Sequence, residues 1–192
     1  MINRSQLLAP LVVLLAVAFA APARAQVFTP TYMSPRISDD LGVYLSDGPG
    51  DLAIEGVLRR GALGLRAGFA DIGDGALMIG GEYRHRIAAS APLEFAFTAG
   101  AQGVLGDADA AGGQAGVTVG HTFLPPDSRL TITSYIHPRI AIVDGFGADD
   151  DLEVDLLADL GTDLELTSSL ILRFGVSLGD GADLGIGLAW RR

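Results

Sequence analysis

From residue 37 to the end, apolar and polar positions alternate. Leu184, Ile186, Leu188 and Trp190 interleave with Gly185, Gly187, Ala189 and Arg191. Leu170, Leu172, Phe174, Val176 and Leu178 interleave with Ile171, Arg173, Gly175 and Ser177. Leu152, Val154, Leu156, Ala158 and Leu160 interleave with Glu153, Asp155, Leu157 and Asp159. A period of two is the signature of a strand with unlike faces. Cut at Gly, Pro, Asp and Ser clusters, the pattern predicts ten strands, at 38–46, 51–59, 62–70, 75–87, 92–104, 113–124, 129–143, 151–166, 170–178 and 182–191. No comparable helical period runs through them, and residues 26–36 (QVFTPTYMSPR) read as an irregular lead-in.

The connections alternate as well. SDGPGD, ADIGDGA, LGDADAAGG, DGFGADDD and GDGAD stand at the odd positions; RRGA, AASAP, LPPDSR and TSS stand at the even ones. The odd set carries Asp47, Asp51, Asp71, Asp74, Asp107, Asp109, Asp144, Asp149, Asp150, Asp151, Asp180 and Asp183, whereas the even set carries only Asp127. Arg59, Arg60, Arg86, Arg129, Arg191 and Arg192 cluster near the even ends. In an up-and-down meander all odd connections share one end. The expected body is an all-β antiparallel barrel of ten strands, with eight the nearest alternative, and it has an acidic loop rim opposite a short-turned, mildly basic rim. Short turns at one end and longer loops at the other are the habit of outer-membrane barrels.

Alternation does not say which face is outside. The polar face is rich in Gly and Ala and carries charges of both signs. Folding each hairpin about its turn brings Glu55 to Arg66, Arg86 to Glu94, Arg139 to Asp155, and Asp163 to Arg173, every one on the polar face. Buried charges need partners, so these eight residues are the candidate lumen charge network. The acidic run from Asp144 to Asp163 then divides. Residues 144–151 belong to the loop rim, while Glu153, Asp155, Asp159 and Asp163 line one wall of the lumen. Pro138 cannot donate to a ladder and predicts a bulge or irregularity in its strand. Tyr44, Phe69, Phe123 and Trp190 are the residues available for aromatic belts at the two interfaces.

Residues 1–25 change the setting. Arg4 precedes an apolar run from Leu7 to Ala20, and Ala23-Arg24-Ala25 fits a small-x-small cleavage site. This is the pattern of a secretory signal peptide. The mature chain would start near Gln26 and hold a barrel domain over 37–192. The chain has no Cys, so an exported barrel cannot rely on disulfides, and Cys nucleophiles and Cys-ligated zinc are excluded. Losing Arg4 and Arg24 leaves eleven Arg against 23 acidic residues, a formal charge of −12. Such a charge disfavours nucleic acid and favours cations.

The resulting chain resembles the small bacterial outer-membrane β-barrel proteins, the porin-like superfamily of OmpA, OmpX and OmpW types. The resemblance covers roughly 37–192 and includes the last strand, LGIGLAWRR. Members of this group tend to end on an alternating strand with a terminal aromatic, read by the barrel-assembly machinery. Leu184, Ile186, Leu188 and Trp190 match that assembly signal, with Arg191 and Arg192 following. The resemblance implies a location in the outer membrane, lipid around the apolar face, and no enzymatic activity.

Candidate chemistry is sparse. His137 shares the polar face with Tyr135, Arg139 and Asp159, and a His beside carboxylates can serve as base or ligand. Barrel hydrolases of similar size use a His with paired acids or a His followed closely by Ser; His121 is followed by Thr122 and Phe123 instead. Asp107, Asp109 and Gly112 fit three positions of a calcium loop, but Ala111 and Thr118 stand where further oxygen ligands belong. Weak divalent-cation binding by the acidic rim is what remains, and no cofactor or catalytic residue is assigned. The expected function is an outer-membrane barrel with a structural, adhesive or narrow-channel role. A soluble exported barrel around a small apolar ligand and an outer-membrane barrel hydrolase are the alternatives.

Overall fold

A computed structural model describes residues 31–90, 92–106, 109–126, 128, 130–144, 152–179 and 182–192, with only the backbone described at 88–90. The proposed signal peptide, Asp107 of the calcium-like loop, all of 145–151, and Asp127, Arg129 and Asp180 lie outside these residues.

Ten strands follow one another: β1 (Asp40–Ser46), β2 (Ala53–Arg60), β3 (Leu63–Ala70), β4 (Ala76–Ser90), β5 (Leu93–Leu105), β6 (Ala110–Phe123), β7 (Thr131–Asp144), β8 (Glu153–Glu165), β9 (Leu170–Leu178) and β10 (Ala182–Arg191). Each pairs antiparallel with its neighbours, and β10 returns to β1, closing a barrel. Closure leaves no unpaired edge. The predicted bounds fall within three residues of the observed ones, because two-residue alternation stops where the turn residues begin. Gly61 shows why one turn can be so short. It takes a φ of 56° in the two-residue link between β2 and β3, and its N–H donates to Asp39 Oδ1 at 2.7 Å.

The alternation has a direction. Along β1 the burial pattern is strictly buried–exposed, with Leu41, Val43 and Leu45 outward and Asp40, Gly42, Tyr44 and Ser46 inward. Leu65, Phe69, Ile79, Ile140, Leu156, Ile186, Leu188 and Trp190 are likewise exposed on the outside, Leu156 reaching 78%. Inside lie two tiers. Beneath the loop-rich rim Ala53, Ala70, Ala76, Met78, Val104, Ala110, Ala141, Val143 and Leu157 form an apolar layer. Below it the interior is polar and charged, and here Asp40, Glu55, Arg59, Arg66, Glu82, Arg84, Arg139, Asp159, Asp163 and Arg173 are all buried.

One expectation needs correcting and another takes a definite form. Tyr44 does not join an exterior belt: it points into the barrel and is 2% exposed, whereas Phe69, Phe123 and Trp190 do face outward. At Pro138 the expected irregularity is a lapse in pairing and not a bulge. Pairing of β7 with β6 lapses between Ile136 and Arg139 but resumes in the same register, and on its other side Pro138 still aligns with Ala158 of β8. The ring removes a donor without inserting a residue. The register shift falls in β4 instead, between Arg86 and Ala88.

Candidate functional site

The barrel interior is where the unusual chemistry gathers. Alternation brings an inward residue from every second strand position, and the closed sheet sets them facing one another across the lumen. Glu55 of β2 accepts from Arg66 of β3 at 2.6 Å, and Arg66 lies 4.0 Å from Glu82 of β4. Arg59 holds Glu82 at 2.6 Å through Nε and reaches Asp40 at 3.7 Å. Arg173 of β9 donates to Asp40 at 2.8 Å and stands 3.4 Å from Asp163, its directly opposed neighbour on β8. The Tyr44 hydroxyl accepts from both Arg59 (2.9 Å) and Arg173 (2.5 Å), joining the two halves. Charges removed from water survive only when paired and hydrogen-bonded in this manner.

A second cluster centres on Asp159. Arg139 donates to its Oδ1 from NH2 (2.9 Å) and Nε (3.2 Å), and also reaches Gln114 (2.6 Å) and Ser177 (2.8 Å). His137 Nδ1 lies 3.1 Å from Asp159 Oδ2, and its Nε2 lies 2.7 Å from the Thr98 hydroxyl. The network assigns the tautomer: Nδ1 carries the proton toward the carboxylate, so Nε2 accepts from Thr98. Hydroxyl, imidazole and carboxylate thus stand in the order of a nucleophilic relay. Thr98, His137 and Asp159 are nevertheless each at most 2% exposed, and Thr31 is packed against the relay.

Thr31 belongs to the lead-in, and this is the feature that sequence reasoning missed. Residues 31–35 do not hang from the barrel; they are buried inside it, and Arg36 returns to the surface beside Glu165. Thr31 Oγ1 donates to Asp159 Oδ2 at 2.5 Å and lies 3.0 Å from His137 Nδ1. Its carbonyl accepts from Arg59 at 3.2 Å, and the Ser34 carbonyl accepts from Arg84 at 2.7 Å. Tyr32 stacks on Tyr44 with centroids 4.4 Å apart. Thr31, Tyr32, Met33 and Ser34 are essentially inaccessible, at 0–1% exposure. Glycines on the inner wall make the room. A Cβ at Gly185 would fall on the Tyr32 hydroxyl, one at Gly187 2.1 Å from the Tyr44 ring, one at Gly161 2.0 Å from the Tyr135 ring, and one at Gly120 2.9 Å from Pro35 Cγ. The available signal was compositional: QVFTPTYMSPR carries aromatic, Met and hydroxyl residues that suit a packed, hydrogen-bonded environment. A segment without periodicity announces no packing partner.

The eight predicted network residues are not placed alike. Glu55 with Arg66, and Asp163 with Arg173, come together in the interior. Arg139 is in the interior too, but its register is two residues from expectation: Leu157 lies opposite it, Asp155 aligns with Ala141, and its guanidinium holds Asp159. Arg86 and Glu94 meet at 3.7 Å, but at the short-turned rim, with side chains 51% and 24% exposed. Arg59 stands next to the even link between β2 and β3, as expected, but its side chain turns inward and is 1% exposed within the charged tier. Ile186, Leu188 and Trp190 face outward and exposed, with Leu184 partly covered on the same face. A concave apolar strip lined by Leu45, Leu160, Phe174, Val176, Leu184 and Ile186 runs over this part of the exterior. Among the described residues no three His, Cys, Asp or Glu side chains group in a way that would hold a metal.

No protein-family model matches the chain, and no curated protein sequence does. Two solved structures are similar in outline. A chain from a de novo design of transmembrane β-barrels is 12% identical, with 83% of this chain and all of that one covered at a TM-score of 0.42. The KdgM porin is 9% identical, with 81% of this chain and 99% of that one covered at a TM-score of 0.38.

Proposed function

We propose that the chain is an outer-membrane β-barrel with a filled interior, suited to a structural, adhesive or narrow-channel role. One observation carries the reading: the molecule is inverted. Large aliphatic and aromatic side chains cover the outside while ion pairs are buried within. Apolar surface costs about 25 cal/mol per Å² in water, and contiguous exposed patches beyond a few hundred Å² mark a membrane or partner surface. Lipid around the exterior relieves that cost. The strands are seven to fifteen residues long, around the nine to eleven or so that a tilted strand needs to span hydrocarbon. In this reading residues 1–25 direct export, Leu184, Ile186, Leu188 and Trp190 present the assembly signal, the short-turned rim faces the periplasm, and the acidic loop rim faces outward, where weak divalent-cation binding is in keeping with its carboxylates.

A soluble barrel binding an apolar ligand would turn the apolar alternation inward, opposite to what β1 does. The test is partitioning. The protein should remain in the membrane fraction, need detergent for extraction, and migrate differently on gels before and after boiling. Recovery as a detergent-free, monodisperse monomer would overturn the reading.

A further inference from the structure

The interior is not lined alike all the way round. The apolar layer is built by β2 to β8. On the remaining wall, where β9, β10 and β1 reach the loop-rich rim, the inward residues are Ser177, Asp183 and Ser46. Ser177 stands directly opposite Asp183 and accepts from Arg139, Arg139 holds Asp159, and Asp159 accepts from Thr31. A continuous polar seam therefore descends from the loop rim and stops at the lead-in. Two buried atoms on this route, Asp183 Oδ2 and the Tyr32 hydroxyl, have no hydrogen-bond partner among the described residues. Asp183 is 3% exposed, and an orphaned buried carboxylate oxygen calls for a ligand with positive charge or a donated hydrogen.

We propose that this seam is a narrow path for small ions, with Asp183 its carboxylate at the loop end, and that residues 31–35 are its stopper. The proposal rests on the membrane reading above. The lead-in has the character of a seated segment and not of a wall. It forms no strand. It is held by side-chain and carbonyl hydrogen bonds that water can replace. Tyr32, a bulky residue, sits at φ 51°, a left-handed conformation that non-glycine residues adopt only when surroundings enforce it. Withdrawing the segment would free Arg59, Arg84 and Asp159 of its contacts and join the seam to the short-turned rim.

The experiment uses the full chain in planar bilayers with potassium chloride. Its lack of Cys makes a single introduced thiol a clean reporter. Ser34→Cys in the otherwise native barrel should react slowly with a water-soluble thiol reagent, and the native barrel should show little current. Combining Thr31→Ala with Tyr32→Ala removes the side-chain bonds to Asp159 and His137 and the ring stack, leaving only the backbone N–H of residue 31 on Asp159. It should raise both current and labelling at Ser34→Cys by about tenfold or more. Asp183→Asn added to that variant should lower the current and its preference for potassium over chloride. Heat-modifiable migration, measured on each variant, reports the barrel separately; its absence from the native protein would count against the membrane reading itself. With a heat-modifiable barrel, unchanged current and labelling in the loosened variant would overturn the stopper. So would rapid labelling of Ser34→Cys in the native barrel, a measurement that stands even where the loosened variant fails to fold. Current indifferent to Asp183→Asn would overturn the seam.

Discussion

Arg173 and Arg86 occupy polar positions of their strands, and each stands near a carboxylate on the next strand. Arg173 is 1% exposed at the middle of the barrel; it bonds Asp40 and Tyr44 and stands 3.4 Å from Asp163. Arg86 lies just before a register shift near the short-turned rim, half open to solvent, with Glu94 at 3.7 Å. The same residue types in the same alternation thus produce a structural junction in one place and a loose surface pair in the other. The difference is depth and convergence: mid-barrel positions receive side chains from across the lumen, while rim positions receive only their neighbour.

The sharpest way to break the comparison is at Arg173. Arg173→Ala leaves Asp40 and Asp163 buried without their main cation. Removing one partner of a buried pair costs about 3–5 kcal/mol, read as the loss of urea resistance in detergent by the fluorescence of the single Trp190. Arg173→Lys should recover only part of that, because one ammonium cannot reproduce a planar fork. A cost for Arg173→Ala below about 1 kcal/mol, the ceiling for an exposed pair, would remove the distinction drawn here.

Gly161→Val asks whether the interior is as full as the buried network implies. The added side chain would enter the space of the Tyr135 ring, and overpacking of that kind costs about 1–3 kcal/mol. Tyr135→Ala in the same chain should recover much of the loss, a coupling that a double-mutant cycle measures. Simple additivity of the two changes would mean that the ring has room elsewhere.

How far the pattern along the chain reaches follows from the same contrast. Strand positions and inward faces were legible because a period of two is local. Hairpin neighbours such as Glu55 and Arg66 were legible to the accuracy of the turn. Arg139 shows the limit: a two-residue error in register exchanges Asp155 for Asp159. Contacts across the lumen were beyond reach. Asp40 and Arg173 are 133 residues apart, and folding adjacent strands about their turns cannot bring β1 to β9. Arg59 and Glu82 are assembled likewise from strands that do not pair. The lead-in was least legible, because its partners are holes left by Gly120 and Gly185, and a glycine in a strand does not say what will lie over it.

The smallest effect is expected at the rim, and it separates geometry from energy. Arg86 and Glu94 satisfy the distance criterion of an ion pair, as Arg173 and Asp163 do. Water reaches the Arg86 side chain, so Coulomb attraction is weakened by high dielectric and by salt, and holding two long side chains together costs rotamer entropy. Arg86→Ala should therefore change stability by no more than about 1 kcal/mol. Whatever it does change should shrink as salt rises, since the Debye length falls from about 10 Å at 0.1 M to about 3 Å at 1 M. The Arg173→Ala loss should persist across the same range, because ions do not enter the packed interior to screen it. Parallel salt titrations of the two variants give the test. If both losses fade together, the interior is wet enough to screen its own charges, and the buried tier behaves as an extension of the rim.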